Sequence, residues 1–161
     1  MKAILILISI VFIQPLGKNL PELNGKVVEY VDSVMGKKVD RGECWDLAAG
    51  ALAYSGAYFD RSSMKTALIY GRRLDPNKEE ILAGDLIQFE NVTVEWKDGN
   101  SSFTESMGHH TAIVYKVNEP KNYEIAHQNT SSWGKKVGVS NFRLDRVKKG
   151  KVMIYRPIKE K

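Results

Sequence analysis

The most constraining segment of the sequence is residues 44–57, where Cys44 opens a run that is apolar on nearly every side. Small residues fill much of this run, namely Ala48, Ala49, Gly50, Ala51 and Ala53. A helix of this kind has no face suited to water, and its small side chains let the backbone approach a flat surface closely. The segment therefore predicts a helix that is buried against a sheet.

The rest of the chain is expected to place helices first and strands afterwards. Apolar spacing predicts a helix over Leu23–Met35 that ends at Gly36, and Ser62 or Ser63 is suited to cap a third helix reaching Tyr70. Short β-branched or aromatic runs follow at 86–89, 93–96, 111–117, 123–127, 137–139 and 152–155. This order predicts an α+β domain, with N-terminal helices packed on an antiparallel sheet.

The first residues are expected to be separate from this domain. Lys2 precedes an apolar run over residues 3–13, in which Ser9 is the one polar residue, about half of the ~20 residues needed to cross a bilayer. We expect residues 1–17 to be a signal peptide cleaved near Gly17, and residues 18–161 to form one domain. The expected location is secreted or periplasmic. A membrane anchor, if the signal stays uncleaved, and a buried N-terminal strand or helix are the alternatives.

The charge of the chain limits the classes of partner that it is expected to bind, and its cysteine content bears on its chemistry. The 161 residues have a formal net charge of +5, which suits an anionic surface such as a cell wall. The basic clusters at 71–73 and 143–151 have no interleaved aromatic residues and no nucleic-acid motif, so nucleic-acid binding is not expected. Cys44 is the single cysteine and cannot form an internal disulfide. A lone thiol in an oxidising compartment indicates a chemical role.

Cys44 and the histidines form the candidate catalytic set. Cys44 begins the buried helix, where the positive end of the helix dipole favours a thiolate. His110 directly precedes an apolar strand and is expected to face that helix. A hairpin brings the start of this strand beside His127 and Asn129. The arrangement predicts Cys44 as nucleophile, His110 as base, and His127, supported by Asn129, as the residue that orients the base, with Asn129 as the competitor for that role.

Other uses of these residues compete with catalysis. A lone cysteine is often only a small buried side chain, and a histidine at a strand end is often half-buried surface. One Cys and three His can also bind zinc, but the chain has no paired Cys and no His-x-x-x-His spacing. We therefore predict no metal and no cofactor. Asp85, after Gly84 at a strand start, is expected to cap a turn and to have no catalytic part.

Three motifs resemble successive signatures of the CHAP and NlpC-type amidases and peptidases. They are Gly42-Glu43-Cys44-Trp45, Leu82-Ala83-Gly84-Asp85-Leu86-Ile87-Gln88-Phe89, and Gly108-His109-His110-Thr111-Ala112-Ile113-Val114. The resemblance covers about residues 36–130. It implies a papain-like fold with His110, not His109, as the base. CHAP sequences continue with Glu-x-Asn where this chain has His127-Gln128-Asn129, and NlpC-type relatives use histidine as the third polar residue.

The function implied is that of an exported cysteine amidohydrolase or peptidase. The resemblance indicates cleavage of amide bonds in a peptide or peptidoglycan-like substrate. A binding module that keeps the papain-like shell without turnover is one alternative. An acyltransferase or deamidase is another, because the same thiol chemistry forms its acyl-enzyme.

Overall fold

The computed structural model describes residues 20–59 and 70–159. Helices α1 (Glu22–Val34) and α2 (Cys44–Ser55) come first. The strands follow as β1 (Arg72–Leu74), β2 (Leu86–Asp98), β3 (Ser101–Glu119), β4 (Asn122–His127), β5 (Gly138–Arg143) and β6 (Val147–Arg156), with a 3-10 helix at Leu144–Arg146 before β6. They form one antiparallel sheet in the order β1-β6-β2-β3-β4-β5. The predicted α+β architecture is confirmed.

Helix α2 packs between α1 and one face of the sheet. Its fully buried side chains are Leu47, Ala48, Ala51 and Leu52, which join sheet residues such as Ile113 and Ala126 in a single apolar cluster. The small residues also allow α1 to pack closely on α2, because a Cβ at Gly50 would collide with the Tyr30 hydroxyl. Gly56 ends the helix with a left-handed φ of 72°. The prediction of a helix buried against a sheet is therefore confirmed.

The opposite face of the sheet encloses a second apolar cluster. Phe89 on β2 and Phe142 on β5 belong to this cluster, and their ring centroids are 5.0 Å apart. In a flat sheet, strands three places apart would lie about 14 Å from each other. The sheet must therefore curl, so that the edge strand β5 approaches the inner strand β2 across the concave face.

Two predicted strand runs merge into one strand. The runs at 86–89 and 93–96 both lie in β2, and the polar residues between them form a bulge where the pairing with β6 shifts register. Asn91 has a left-handed φ of 50° at this bulge. The polar break thus bends the strand and does not end it.

Two sequence predictions fall outside the described residues. They are the signal peptide at 1–17 and the third helix between residues 62 and 69. Within the described ranges, neither helix is long and apolar enough to cross a membrane.

Asp85 fixes the start of β2. Its Oδ2 accepts a hydrogen bond from the backbone N–H of Leu82 at 2.8 Å, as expected for a residue that caps a turn. Its carboxylate is fully buried and accepts two hydrogen bonds from Arg156, at 3.0 and 2.8 Å. Asn24 of α1 donates to Oδ1 at 2.9 Å. One carboxylate therefore ties together α1, the start of β2 and the end of β6.

We expect Asp85→Asn to lower the free energy of unfolding by about 2–4 kcal/mol, because Arg156 would lose a buried anionic partner. Urea unfolding followed by circular dichroism measures this loss. The matched control is Glu79→Gln, whose exposed partner Arg72 lies 2.6 Å from it, and we expect that change to cost under about 1 kcal/mol. Equal losses for the two variants would contradict a structural role specific to Asp85.

Candidate active site

Cys44 is the first residue of α2, and a capping box fixes the start of this helix. The Asp46 side chain accepts from the backbone N–H of Glu43 at 3.0 Å, and Glu43 in turn caps the backbone of Asp46. Arg41 donates to the buried Asp46 carboxylate at 2.8 Å. These contacts determine where the helix begins and therefore the position of the thiol.

A buried amide also fixes the segment before Cys44. Gln128, directly after β4, accepts a hydrogen bond from the Val39 N–H at 3.1 Å. Its Nε2 donates to the Val39 carbonyl at 3.1 Å and to the Glu43 carbonyl at 2.8 Å. The start of α2 is therefore attached directly to the end of β4.

The thiol lies beside Thr111 at a free edge of β3. Strand β4 pairs with β3 only as far as Ile113↔Ala126, so the edge of β3 at Thr111 is not covered by the ladder. Both the backbone and the side chain of Thr111 form hydrogen bonds with Cys44. The nucleophile candidate thus contacts the residue directly after His110. Sequence reasoning did not select Thr111 as part of the site.

His110 and His127 form a hydrogen-bonded pair. Nε2 of His110 lies 3.1 Å from Nδ1 of His127, and Nε2 of His127 lies 2.9 Å from the Ser140 hydroxyl. The hairpin between β3 and β4 brings the two rings together, as predicted. Ser140 on β5 was not predicted, because no sequence signal shows how β5 pairs with β4. The result is a continuous chain of polar contacts, His110–His127–Ser140.

His110 leaves the sheet on the face away from the helices. Its ring stacks on Phe89 of the concave cluster, whereas Thr111 contacts Tyr70 and Gln88 on the helix side. The expectation that His110 faces α2 was therefore wrong. The thiol contacts both the backbone and the side chain of Thr111, which directly follows His110 on β3. His109 points to the other face and contacts Glu90 at 2.8 Å.

Asn129 is directed away from the histidine pair. Its side-chain Nδ2 donates to the Glu43 carboxylate at 2.8 Å. We expected Asn129 and His127 to share a face because they are two positions apart, which is one period of a strand. Asn129 has a left-handed φ of 61°, so the alternation of an extended strand ends before it. The geometry supports His127, and not Asn129, as the partner of His110.

Burial keeps the thiol and the imidazoles neutral. It raises the pKa of Cys44, and hydrogen bonds from Thr111 oppose this shift only in part. The expected effect of the helix dipole therefore does not dominate. Burial also lowers the pKa of His110 to about 4, with a further contribution from His109. The pKa of His127 is lowered to about 4 by burial and by His110. At neutral pH the site contains a thiol and two uncharged imidazoles.

The histidine pair faces two adjoining cavities on the concave side. One has a volume of about 200 Å³, is lined by His110, and has a polar wall over residues 130–132. The other, of about 340 Å³, extends over Trp96, Phe142 and Arg146. His127 and Ser140 line both. Within the described residues, no three His, Cys, Asp or Glu side chains are grouped to hold a metal ion.

Comparison with known proteins identifies relatives of this domain. Altered inheritance of mitochondria protein 3 from Debaryomyces hansenii is 28% identical over 146 residues, covering 82% of this chain and 15% of that protein. The chain thus spans a small part of the length of this relative.

Two solved structures resemble the fold at low sequence identity. The crystal structure of Ly7917 has a TM-score of 0.49 and 15% identity, covering 82% of this chain and 62% of that one. The structure of Ly7917 with the hydrolyzing product of MDP has a TM-score of 0.46 and 18% identity, covering 83% and 63%. A likeness at this level assigns no activity.

The family match is broader in coverage. The model of the AIM3/BBC1 cysteine proteinase-fold domain matches residues 20–161, which include both helices and the whole sheet. It supports the papain-like fold but not the narrower CHAP or NlpC identification. The chain therefore belongs to the AIM3/BBC1 cysteine proteinase-fold domain family.

Proposed function

We propose that this domain is a cysteine hydrolase that cleaves amide bonds, with Cys44 as nucleophile, His110 as general base and His127 as the residue that orients the base. The observation that supports this most is the contact of 3.1 Å between Nε2 of His110 and Nδ1 of His127. This contact uses Nε2 of His110, so we assign the proton transfer from the Cys44 thiol to Nδ1. A base with one nitrogen held by a polar partner is the arrangement that nucleophilic catalysis needs.

The hydrogen-bond chain allows one productive set of proton positions. For Nδ1 of His110 to accept a proton, the hydrogen of the neutral ring must be on Nε2, which then donates to Nδ1 of His127. His127 must in turn have its hydrogen on Nε2, which donates to the Ser140 hydroxyl. The Ser140 hydroxyl can accept this hydrogen, so its contact with His127 is compatible with the basic tautomer of His110.

The neutral resting state determines when the proton moves. The Cys44 thiol transfers its proton to His110 as the sulfur attacks the carbonyl carbon, and His110 then donates that proton to the leaving amine. Water attacks the acyl-enzyme in the second half of the reaction, and an amine or another acceptor in its place would give acyl transfer. The backbone N–H of Cys44 is the proposed donor to the oxyanion.

The proposed substrate is a peptide. The CHAP and NlpC-like motifs favour a peptidoglycan-like substrate, and the net charge of +5 favours an anionic surface. Export through the segment at 1–17 belongs to the same proposal and stays a prediction. The AIM3/BBC1 match bears on the fold and adds no support to a cell-wall role.

A binding module on the same fold is the second candidate. The observation in its favour is that burial raises the pKa of Cys44, so the thiolate fraction at rest is small. An enzyme overcomes this with a base that removes the proton during attack. The two candidates therefore differ in whether His110 changes the reactivity of Cys44.

Alkylation of Cys44 separates these candidates. We expect iodoacetamide to label wild type at pH 7 at least about tenfold faster than His110→Ala, because the variant lacks the base. Intact mass reports Cys44 alone, since the chain has no other cysteine.

The matched control for this experiment is His109→Ala, which removes the adjacent histidine from the other face of β3. We expect its labelling rate to equal that of wild type. Equal rates for wild type and His110→Ala would contradict the hydrolase and favour the binding module.

Activity on one fluorogenic peptide amide tests the roles of the orienting residues. We expect Cys44→Ala to abolish turnover with unchanged thermal melting, and His127→Ala to reduce the rate by roughly 10- to 10⁴-fold. Ser140→Ala should reduce it less, because a water can replace the hydroxyl. Asn129→Ala, which removes only the contact with Glu43, should stay near wild type. A larger loss in Asn129→Ala than in His127→Ala would overturn the assignment of His127.

The stability of the domain should depend on the two buried histidines at mildly acid pH. Their pKa values of about 4 lie below the ordinary value of 6.5, so the unfolded chain binds more protons between these two pH values. The contribution of the two histidines to the free energy of unfolding is therefore full well above pH 6.5 and is lost progressively as the pH falls toward 4. We expect about 1.5 kcal/mol of loss per histidine between pH 6.5 and pH 5.

Urea unfolding at several pH values measures this dependence. His127→Gln should remove about half of the slope of the free energy of unfolding against pH. His109→Gln, which changes an exposed side chain, should leave this slope intact. A wild-type slope that survives in His127→Gln would show that other groups are responsible.

A further inference from the structure

The two cavities beside the histidine pair form one continuous cleft. They share Glu105, Met107, His127 and Ser140 along their border. The larger cavity is apolar at its base, where Val94, Ile125 and Phe142 are nearly fully buried. A ligand bound beside His110 can therefore extend past His127 into an apolar subsite.

A cation lies at the far end of this subsite. The Arg146 guanidinium lies over the Trp96 ring, 5.9 Å from its centroid, and both residues line the larger cavity. Trp96 itself stacks on Phe103 at 5.3 Å between centroids. These contacts hold the guanidinium at the cleft wall.

Among the residues that the structure describes, Arg146 has no carboxylate partner, unlike the other arginine of this cleft. Its neighbour Arg143 contacts Glu119 at 3.0 Å and Asp145 at 2.9 Å. Within residues 20–59 and 70–159, no carboxylate oxygen lies within salt-bridge distance of Arg146. Asp145 is close enough for Arg146 to contribute to the lowering of its pKa, but the Arg143 side chain makes the larger contribution. A ligand carboxylate would give Arg146 the partner that the described part of the chain does not supply.

We propose that this cleft binds a peptide that has an apolar side chain next to a carboxylate group, and that Arg146 binds the carboxylate. The inference rests on the proposed hydrolase function and adds its substrate class. The apolar side chain occupies the base of the larger cavity, and the carboxylate accepts hydrogen bonds from the guanidinium. Glu105, an exposed carboxylate on the border of the two cavities, repels the ligand charge and keeps it at the Arg146 end.

Binding of short peptides to the full chain with Cys44→Ala tests this proposal without any need for turnover. The probes are acetyl-Leu-Glu-amide, with a side-chain carboxylate, acetyl-Gly-Leu with a free C-terminal carboxylate, and the neutral acetyl-Leu-Gln-amide. Two-dimensional NMR of the ¹⁵N-labelled protein reports binding through the indole N–H of Trp96, which Trp96→Phe identifies. The two acidic probes separate the two sources of a carboxylate.

We expect at least one acidic probe to bind about three- to tenfold more tightly than the neutral probe. Arg146→Gln should remove this preference, and Arg146→Lys, which keeps the charge, should retain part of it. Glu105→Gln should increase the preference. Arg73→Gln, an exposed arginine on the edge strand β1, is the matched control and should leave it unchanged.

Three results would overturn the proposal. They are equal affinities for the acidic and neutral probes, a preference that survives in Arg146→Gln, and no saturable shift of the Trp96 indole with any probe. The alkylation of Cys44 is measured separately on protein with the native thiol. A reactive thiol without acidic preference would therefore refute the substrate class alone, whereas acidic preference with an unreactive thiol would leave a peptide-binding domain.

Discussion

The buried amide of Gln128 is the contact on which the rest of the site depends. Its three hydrogen bonds to the backbones of Val39 and Glu43 join the end of β4 to the start of α2. The residue before it, His127, contacts His110 on the other side of the sheet. Two consecutive residues thus fix the nucleophile candidate and the base candidate with respect to each other. A buried amide whose partners were lost would cost about 1–3 kcal/mol for each unmet hydrogen bond, so this connection is also strongly favoured energetically.

Burial of the site opposes the proton transfer that the proposed mechanism needs. A thiol needs a partner that removes its proton, yet burial lowers the basicity of both histidines. In the proposed mechanism the polar chain from His110 to Ser140 compensates, because it can hold the His110 tautomer whose Nδ1 has the free electron pair. In this mechanism the position and the tautomer of the His110 ring therefore contribute more to removal of the thiol proton than the charge of the ring does.

The sequence predicted the elements that depend on local patterns. The small apolar residues of 44–57, the helix ending near Gly36 and the hairpin between the strand runs at 111–117 and 123–127 have local physical causes, and the structure has all three. The pairing of His110 with His127 followed from the hairpin. What the sequence did not reveal depends on long-range geometry. The curl of the sheet, the register of β5 that brings Ser140 to His127, and the left-handed backbone at Asn129 have no signature within a few residues. The face of His110 was mistaken because neighbouring residues on β3 alternate between faces, and Thr111 is the one that points to the helix side.

The alternation of side chains at the end of β4 has a consequence for how the chain folds. His127 faces the concave side and Gln128 faces the helices, so the two side chains depend on the same strand register. A slip of one residue in the pairing of β4 would exchange their faces, placing an imidazole among the aliphatic side chains under α2 and an amide in the cleft. Such a misregistered sheet would lose the attachment of α2 together with the histidine pair. The site therefore forms only when β4 is paired in the correct register. A chain with misaligned strands would have neither the attachment of α2 nor the histidine pair.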